Sequence, residues 1–254
     1  MFPEIRFSDS IVIPTYLLFL SLLYCFLIFY TSRRAESRRQ DLRIALDLSL
    51  ILMVAGFVGG RLFHIFYEAP QYYFQDWSRI FQFWQGGFVF YGGFLSAIAA
   101  CTVYVFIKKI SFIAWADFFA PIMALGYGLG RISCFLAGCC YGRSCNLPWA
   151  IELPWDTEHL ARHPTQIYAV LWELAVYGIL LQMEKRRLHV LKPGEIFYFW
   201  IFMHAIGRLV MEYFRDDFRG SLIAGLSIST WVSLCLMCFA GCWLTFQDKK
   251  KLRL

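Results

Sequence analysis

The feature that most constrains this chain is its series of long apolar blocks, each bracketed by a short charged stretch. Seven blocks read as spans, at 11–31, 44–67, 83–107, 111–138, 165–183, 195–214 and 222–246. A helix needs roughly 20 apolar residues to cross the hydrocarbon core. Inside that core the backbone must satisfy its own polar groups, which leaves helices or closed barrels. Charged residues make up 17% of the chain and hydrophobic ones 59%, whereas a soluble domain carries about 25% charged residues. The expected fold is all-α: a polytopic membrane bundle of about seven transmembrane helices, forming a single domain over 1–254. The N-terminal segment carries Glu4, Arg6 and Asp9, and Arg33 and Arg34 follow the first span where a cleavage site would stand. That span is therefore expected to be retained.

Charge placement sets the orientation. Arg33, Arg34, Arg38, Arg39 and Arg43 fill the first loop, Lys108 and Lys109 the third, and Lys185, Arg186, Arg187 and Lys192 the fifth. Lys249, Lys250, Lys251 and Arg253 end the chain, so 15 of the 24 basic residues lie on one side of a seven-span arrangement. By the positive-inside rule that side is cytoplasmic. The N-terminus is then outside, the C-terminus inside, and 68–82, 139–164 and 215–221 face outward, with 139–164 as a head region. The net charge of +6 forms no basic face on a soluble domain, so no nucleic-acid partner is expected.

Arg61, Arg131 and Arg208 fall inside spans, and an intramembrane arginine costs about 2.5–3.5 kcal/mol even on the lenient insertion scale. At ~1.5 Å per residue they lie about 26, 30 and 20 Å from the cytoplasmic face. Glu212 is one turn beyond Arg208 on the same helix face, and Tyr91 falls at a similar outer level. One reading is a structural ion-pair network that ties helices together. The other is an anion site, because three arginines outnumber one glutamate and arginine binds phosphate bidentately. A phospholipid phosphate is the anion available at that depth. Glycines recur beside these residues: Gly59 and Gly60 before Arg61, Gly86, Gly87, Gly92 and Gly93 around Tyr91, and Gly126, Gly128 and Gly130 before Arg131. They serve close helix packing or close backbone approach to a ligand.

Cys134, Cys139, Cys140 and Cys145 cluster toward the outer side. Their spacing is a poor zinc pattern, so no metal is expected; small-residue packing and a disulfide in an oxidising compartment are the readings left open. His163 precedes the fifth span, where it either caps the helix or contacts a substrate. His204 lies one turn before Arg208 and shares its face.

The stretch Gly128-Leu-Gly-Arg131-Ile-Ser-Cys-Phe-Leu-Ala-Gly138-Cys-Cys-Tyr-Gly142-Arg143 resembles the signature of the bacterial prolipoprotein diacylglyceryl transferases. Tyr16, Gly60-Arg61, Trp84-Gln-Gly-Gly87, Tyr91-Gly-Gly93, Asp117 with Pro121, Arg162-His-Pro-Thr-Gln-Ile-Tyr168, Lys192-Pro-Gly-Glu195 and Gly207-Arg208-Leu-Val-Met-Glu212-Tyr-Phe-Arg215 follow in the family's order. The resemblance implies a multi-pass enzyme of the bacterial inner membrane. Such an enzyme moves the diacylglyceryl group of phosphatidylglycerol to the lipobox cysteine of an exported prolipoprotein, releasing glycerol phosphate without a cofactor. It further implies that Arg131 and Arg208 hold the phosphate, that Glu212 orients Arg208 or moves a proton, and that Tyr16, Arg61, Gly92, Gly93, Gly142 and His163 line the substrate sites. The enzyme is expected to work as a monomer among membrane lipids. Three positions depart from the pattern. The family's histidine in the third span is Tyr91 here, its signature asparagine is Cys134, and its Glu-Leu pair is Cys139-Cys140, which marks a divergent branch. Tyrosine, with a pKa of about 10, is a poor base near neutral pH, which leaves His204 as the alternative. A membrane transferase with another lipid or acceptor and a non-catalytic lipid carrier are the rival readings.

Overall fold

The computed structural model describes all residues except 1–3, 9–10, 83–85, 154–155, 157–158, 188–190, 217–223 and 252–254. Asp9, Trp84, His189, Arg253 and the expected starts of the third and seventh spans lie outside the described residues. The chain opens with an antiparallel hairpin, β1 (Glu4–Ser8) and β2 (Ile11–Pro14). Six long helices then meet the length and composition needed to cross a membrane: α1 (Thr15–Ser37), α2 (Leu42–Phe63) with its π-helical continuation to Glu68, α4 (Phe90–Lys108), α5 (Phe112–Ala137), α6 (Thr165–Arg187) and α8 (Ile228–Lys251). A short α3 (Pro70–Phe74) precedes α4, and β3 (Ile151–Glu152) pairs with β4 (Ala161–Arg162) between α5 and α6. The chain is thus a polytopic helical membrane protein. α7 (Glu195–Phe214) fills the expected sixth span and carries Glu195, Arg208 and Glu212.

The first span begins at Thr15 and not at residue 11. Ile11, Val12 and Ile13 are β-branched and favour a strand, and Pro14 lacks the amide that a continuing helix would need. The third span begins at Phe90, after Gly86 and Gly87, whose φ values of 84° and 82° are left-handed and end regular helix.

Two compact units emerge, one from 28–112 and the other from 1–27 with 113–254. In the 28–112 unit, α2 and α4 pack closely because glycines face each other. A Cβ at Gly93 would stand 2.6 Å from the Gly56 carbonyl oxygen. Asp41 caps α2 by accepting from the Arg43 and Ile44 amides, and the Tyr104 hydroxyl donates to Asp47 at 2.6 Å between the two helices. In the other unit, Ala120 and Ala124 of α5, Val176 and Leu180 of α6 and Ile196 of α7 form a buried core. Asp117 of α5 accepts the Gly194 and Phe197 amides at 2.5 and 2.9 Å, satisfying donors that the first turn of α7 leaves open. Trp172 of α6 donates to the Met203 carbonyl of α7 at 3.0 Å. Large apolar side chains point outward, Leu22, Phe106 and Phe239 among them, while Gln166 and Glu173 are each 1% exposed. Apolar outside and polar inside is the arrangement expected of a lipid-facing bundle.

Candidate active site

Arg131 sits near the C-terminal end of α5, where its guanidinium donates to the Tyr127 hydroxyl one turn earlier and lies over the Tyr127 ring. Tyr127 meets the His204 ring edge-on at 4.5 Å, and His204 Nδ1 is 2.6 Å from Glu173 Oε1. Three helices thereby support one arginine: α5 presents it, α7 brings His204, and α6 brings Glu173. Glu173 Oε2 has no hydrogen-bond partner among the described residues.

Arg208, on the same face of α7 as His204, donates to Ser229 Oγ of α8 at 2.5 Å and lies 3.9 Å from Glu212. The Ser227 hydroxyl donates to Glu212. Ser229 of α8 and Ser227 just before it therefore anchor both members of the Arg208–Glu212 pair.

Arg131, Arg208 and Arg215 converge on a small cleft of about 10 Å³, shared with Cys140, Thr165, Gln166, Ala169 and Met211. The lining holds three guanidinium groups and no carboxylate, so the cleft is built for an anion. His204 and Glu212 are not on its lining; they stand behind the arginines and hold them. A second, apolar cavity is lined by Phe135, Trp149, Ile151, Pro164, Ile167, Tyr168 and Leu171.

The turn after α5 brings Cys134, Cys139 and Cys140 together, with their sulfurs within 4.8 Å of one another. Gly138 and Cys140 have φ values of 71° and 61°. Thr165 Oγ1 and Gln166 Nε2 donate to the Cys140 and Cys139 carbonyls at 2.6 and 2.5 Å. All nine cysteines carry free thiols. Hydrogen bonds from Cys134 and Cys139, with Arg215 and Arg131 nearby, hold the Cys140 thiol well below its usual range. Cys145 is outside the triad; its amide donates to the Ala161 carbonyl. Tyr16, near the start of α1, is in electrostatic reach of all three cysteines and of Arg131.

Gly142 is a crossing point of the segment between α5 and α6. Its amide donates to the His163 carbonyl at 3.1 Å, and it pairs with Arg215. A Cβ there would stand 2.6 Å from the His163 Cβ, which accounts for a glycine at this position. The His163 ring reaches the Tyr168 hydroxyl at 3.2 Å and packs against Phe214. Beside it, Arg162 donates to Asp156 at 2.9 Å, and that bond holds its guanidinium above the usual range.

Arg61, Tyr91, Gly92 and Gly93 belong to the 28–112 unit. Arg61 is 8% exposed and donates to the backbone carbonyls of Arg79, Ile80, Gly86 and Gly87. It organises the segment between α3 and α4. Tyr91 stands in the first turn of α4 beside Phe90. Gly92 and Gly93 are buried where α4 meets α2.

Sequence reasoning singled out Arg131, Arg208 and Glu212 but missed Tyr127, Ser227 and Ser229. Tyr127 carried a usable signal, a polar aromatic four residues before an intramembrane arginine. The serines carried none, since only the packing of α8 on α7 reveals them.

Compared with known proteins, the chain matches the family described as prolipoprotein diacylglyceryl transferase over residues 5–246. The phosphatidylglycerol–prolipoprotein diacylglyceryl transferase of Polynucleobacter necessarius is 35% identical over 217 residues, covering 84% of this chain and 79% of its own length. That of Nitrosomonas europaea is 36% identical over 199 residues, covering 76% and 69%. That of Clostridium tetani is 30% identical over 207 residues, or 80% of each chain.

Proposed function

Because the chain belongs to the prolipoprotein diacylglyceryl transferase family, we infer that it is a transferase that moves the diacylglyceryl group of phosphatidylglycerol to the cysteine thiol of a prolipoprotein. The observation that carries the reading to this chain's own residues is the cleft lined by Arg131, Arg208 and Arg215 without a carboxylate. In the reaction, sulfur attacks the glycerol carbon that bears the phosphate. The carbon–oxygen bond breaks, the phosphate oxygen keeps the electron pair, and glycerol phosphate leaves. Charge grows on the leaving phosphate, and fixed guanidinium groups stabilise that growth without reorganising.

Arg131 and Arg208 hold the phosphate. Glu212 and Ser229 fix Arg208; Tyr127, His204 and Glu173 fix Arg131. Tyr16 and the cysteine turn face the thiol side of the cleft. The second, apolar cavity takes an acyl chain or the apolar part of the lipobox segment. Arg61, Tyr91, Gly92 and Gly93 shape a lipid-facing part of the other unit. The enzyme works as a monomer in the bacterial inner membrane, with seven crossings, the N-terminus outside and the C-terminus cytoplasmic.

The test is transfer in detergent from phosphatidylglycerol to a lipobox peptide, followed by mass spectrometry. A peptide mass gain of one diacylglyceryl group, lost in Arg208→Ala, is the expected result. A folded protein that yields no adduct beside a working relative would overturn the reading.

A further inference from the structure

We propose that Cys134, Cys139 and Cys140 form a three-thiolate site for a thiophilic divalent metal ion such as zinc, whose open fourth position receives the acceptor cysteine of the precursor. The part played by the precursor rests on the transferase reading above; the metal site does not.

Geometry carries the site. Tetrahedral zinc with Zn–S bonds of about 2.3 Å places its sulfurs about 3.8 Å apart. The three sulfurs already lie within 4.8 Å of one another, so small side-chain rotations suffice. The backbone is held for this arrangement. Cys140 sits in the left-handed region at φ 61°, an uncommon conformation for a residue with a Cβ. Thr165 and Gln166 pin the carbonyls of Cys140 and Cys139. Close packing of small residues accounts for neither feature, and Cys139 is exposed to solvent.

Placement gives the site its chemistry. Cys140 lines the cleft together with Arg131, Arg208 and Arg215. Three thiolates and a divalent cation carry one net negative charge, which the neighbouring arginines offset. Three protein ligands with an open position is the pattern of catalytic zinc, and a coordinating thiol loses its proton outright. The precursor thiol binds the metal and releases its proton to solvent. The metal-bound sulfur donates its electron pair to the glycerol carbon, and the phosphate leaves with the electron pair of the broken carbon–oxygen bond onto the arginines. The thioether product is a weak ligand and departs. The metal keeps its oxidation state throughout, and no protein base is required.

Cobalt(II) is the probe, added to the full-length protein in detergent under a non-thiol reductant. The expected result is a thiolate-to-metal charge-transfer band that saturates at one cobalt per chain and is weakened at least tenfold in Cys139→Ser and Cys140→Ser. A lipobox peptide shifts the cobalt bands, and the same peptide with serine for cysteine does not. No band from a folded protein with reactive thiols would overturn the proposal. So would unchanged binding in Cys139→Ser, whose exposed side chain makes misfolding a weak explanation, or thiols recovered only after strong reduction, which would identify a disulfide pair. Undiminished lipidation by metal-stripped protein would overturn the metal's catalytic part. A cobalt site that forms while neither metal-loaded nor stripped protein lipidates peptide would sink the transferase reading and leave the metal site standing.

Discussion

At the scale of single residues, Arg131 combines two properties that rarely coincide near a membrane core. Its charge is permanent, and its orientation is set by a relay through Tyr127, His204 and Glu173. Removing the guanidinium takes away stabilisation that grows only as the phosphate leaves. Arg131→Ala is expected to lower the turnover rate about a hundredfold to a thousandfold. Arg131→Lys recovers part of that, because a lysine is a point charge without the planar fork. Retained helical content and detergent elution volume separate this outcome from a structural ion-pair network, for which the alanine variant would unfold or fail to insert. Glu173 acts one step removed. With Glu173→Gln the shape stays but the carboxyl that bonds His204 goes, so His204 and Tyr127 loosen their hold on Arg131. A fall of about tenfold to a hundredfold in kcat, with KM nearly unchanged, is expected. A change confined to KM would contradict the positioning role. The arginines and Glu212 were legible in the sequence because charge inside an apolar block is conspicuous. Their supports were not, because Ser227, Ser229 and the pairing of Glu173 with His204 depend on how three helices are rotated against each other.

At the scale of elements, helix packing explains most of the glycines that looked like ligand contacts. α2 and α4 touch through Gly56, Gly59, Gly92 and Gly93, with a side chain excluded at each of the last three. Gly93→Ala would push a methyl group against the Gly56 carbonyl. Overpacking of this kind costs about 1–3 kcal/mol, so this variant is expected to unfold at a lower temperature in detergent. Gly178→Ala, with open space around the position, should match the parent and serves as the control. Equal thermal stability of Gly93→Ala and the parent would show that the helices can part. Hydrophobic blocks located the long helices well, since each is about as long as the membrane is thick. They failed at the ends. Ile11 to Pro14 is as apolar as the helix that follows, and only β-branching and a proline separate strand from span. Asp117 illustrates a complementary gap: it stood out as a family-like residue, but its task of capping α7 across 77 positions of sequence needs the fold to be seen.

At the scale of the whole molecule, the decisive element is α7. Six helices are long and apolar enough to cross; α7 carries Glu195, His204, Arg208 and Glu212. If α7 did not cross, α8 would run the other way, and Lys249, Lys250 and Lys251 would end outside, against the positive-inside rule. The structure removes the objection to burying these charges. Glu195 is at the first turn, where it bonds the Lys192 amide at 3.1 Å. Arg208 and Glu212 are neighbours bonded to Ser229 of α8 and to Ser227 just before it, and His204 is bonded to Glu173. No side chain of this group is left to face lipid alone, which is the condition for polar residues within a span. A fluorescent protein that matures only in the cytoplasm, fused after the last residue, is therefore expected to fluoresce. An alkaline phosphatase that needs export, inserted in the head near Asn146, is expected to be active. Truncation before α7 with phosphatase fused at Lys192 should give an inactive fusion, and fusion at Ala224 an active one. Absence of activity at Ala224 would mean that α7 does not cross, and activity at Lys192 that the whole arrangement is inverted; either way the outward placement of the Arg208–Glu212 end of the cleft would fall.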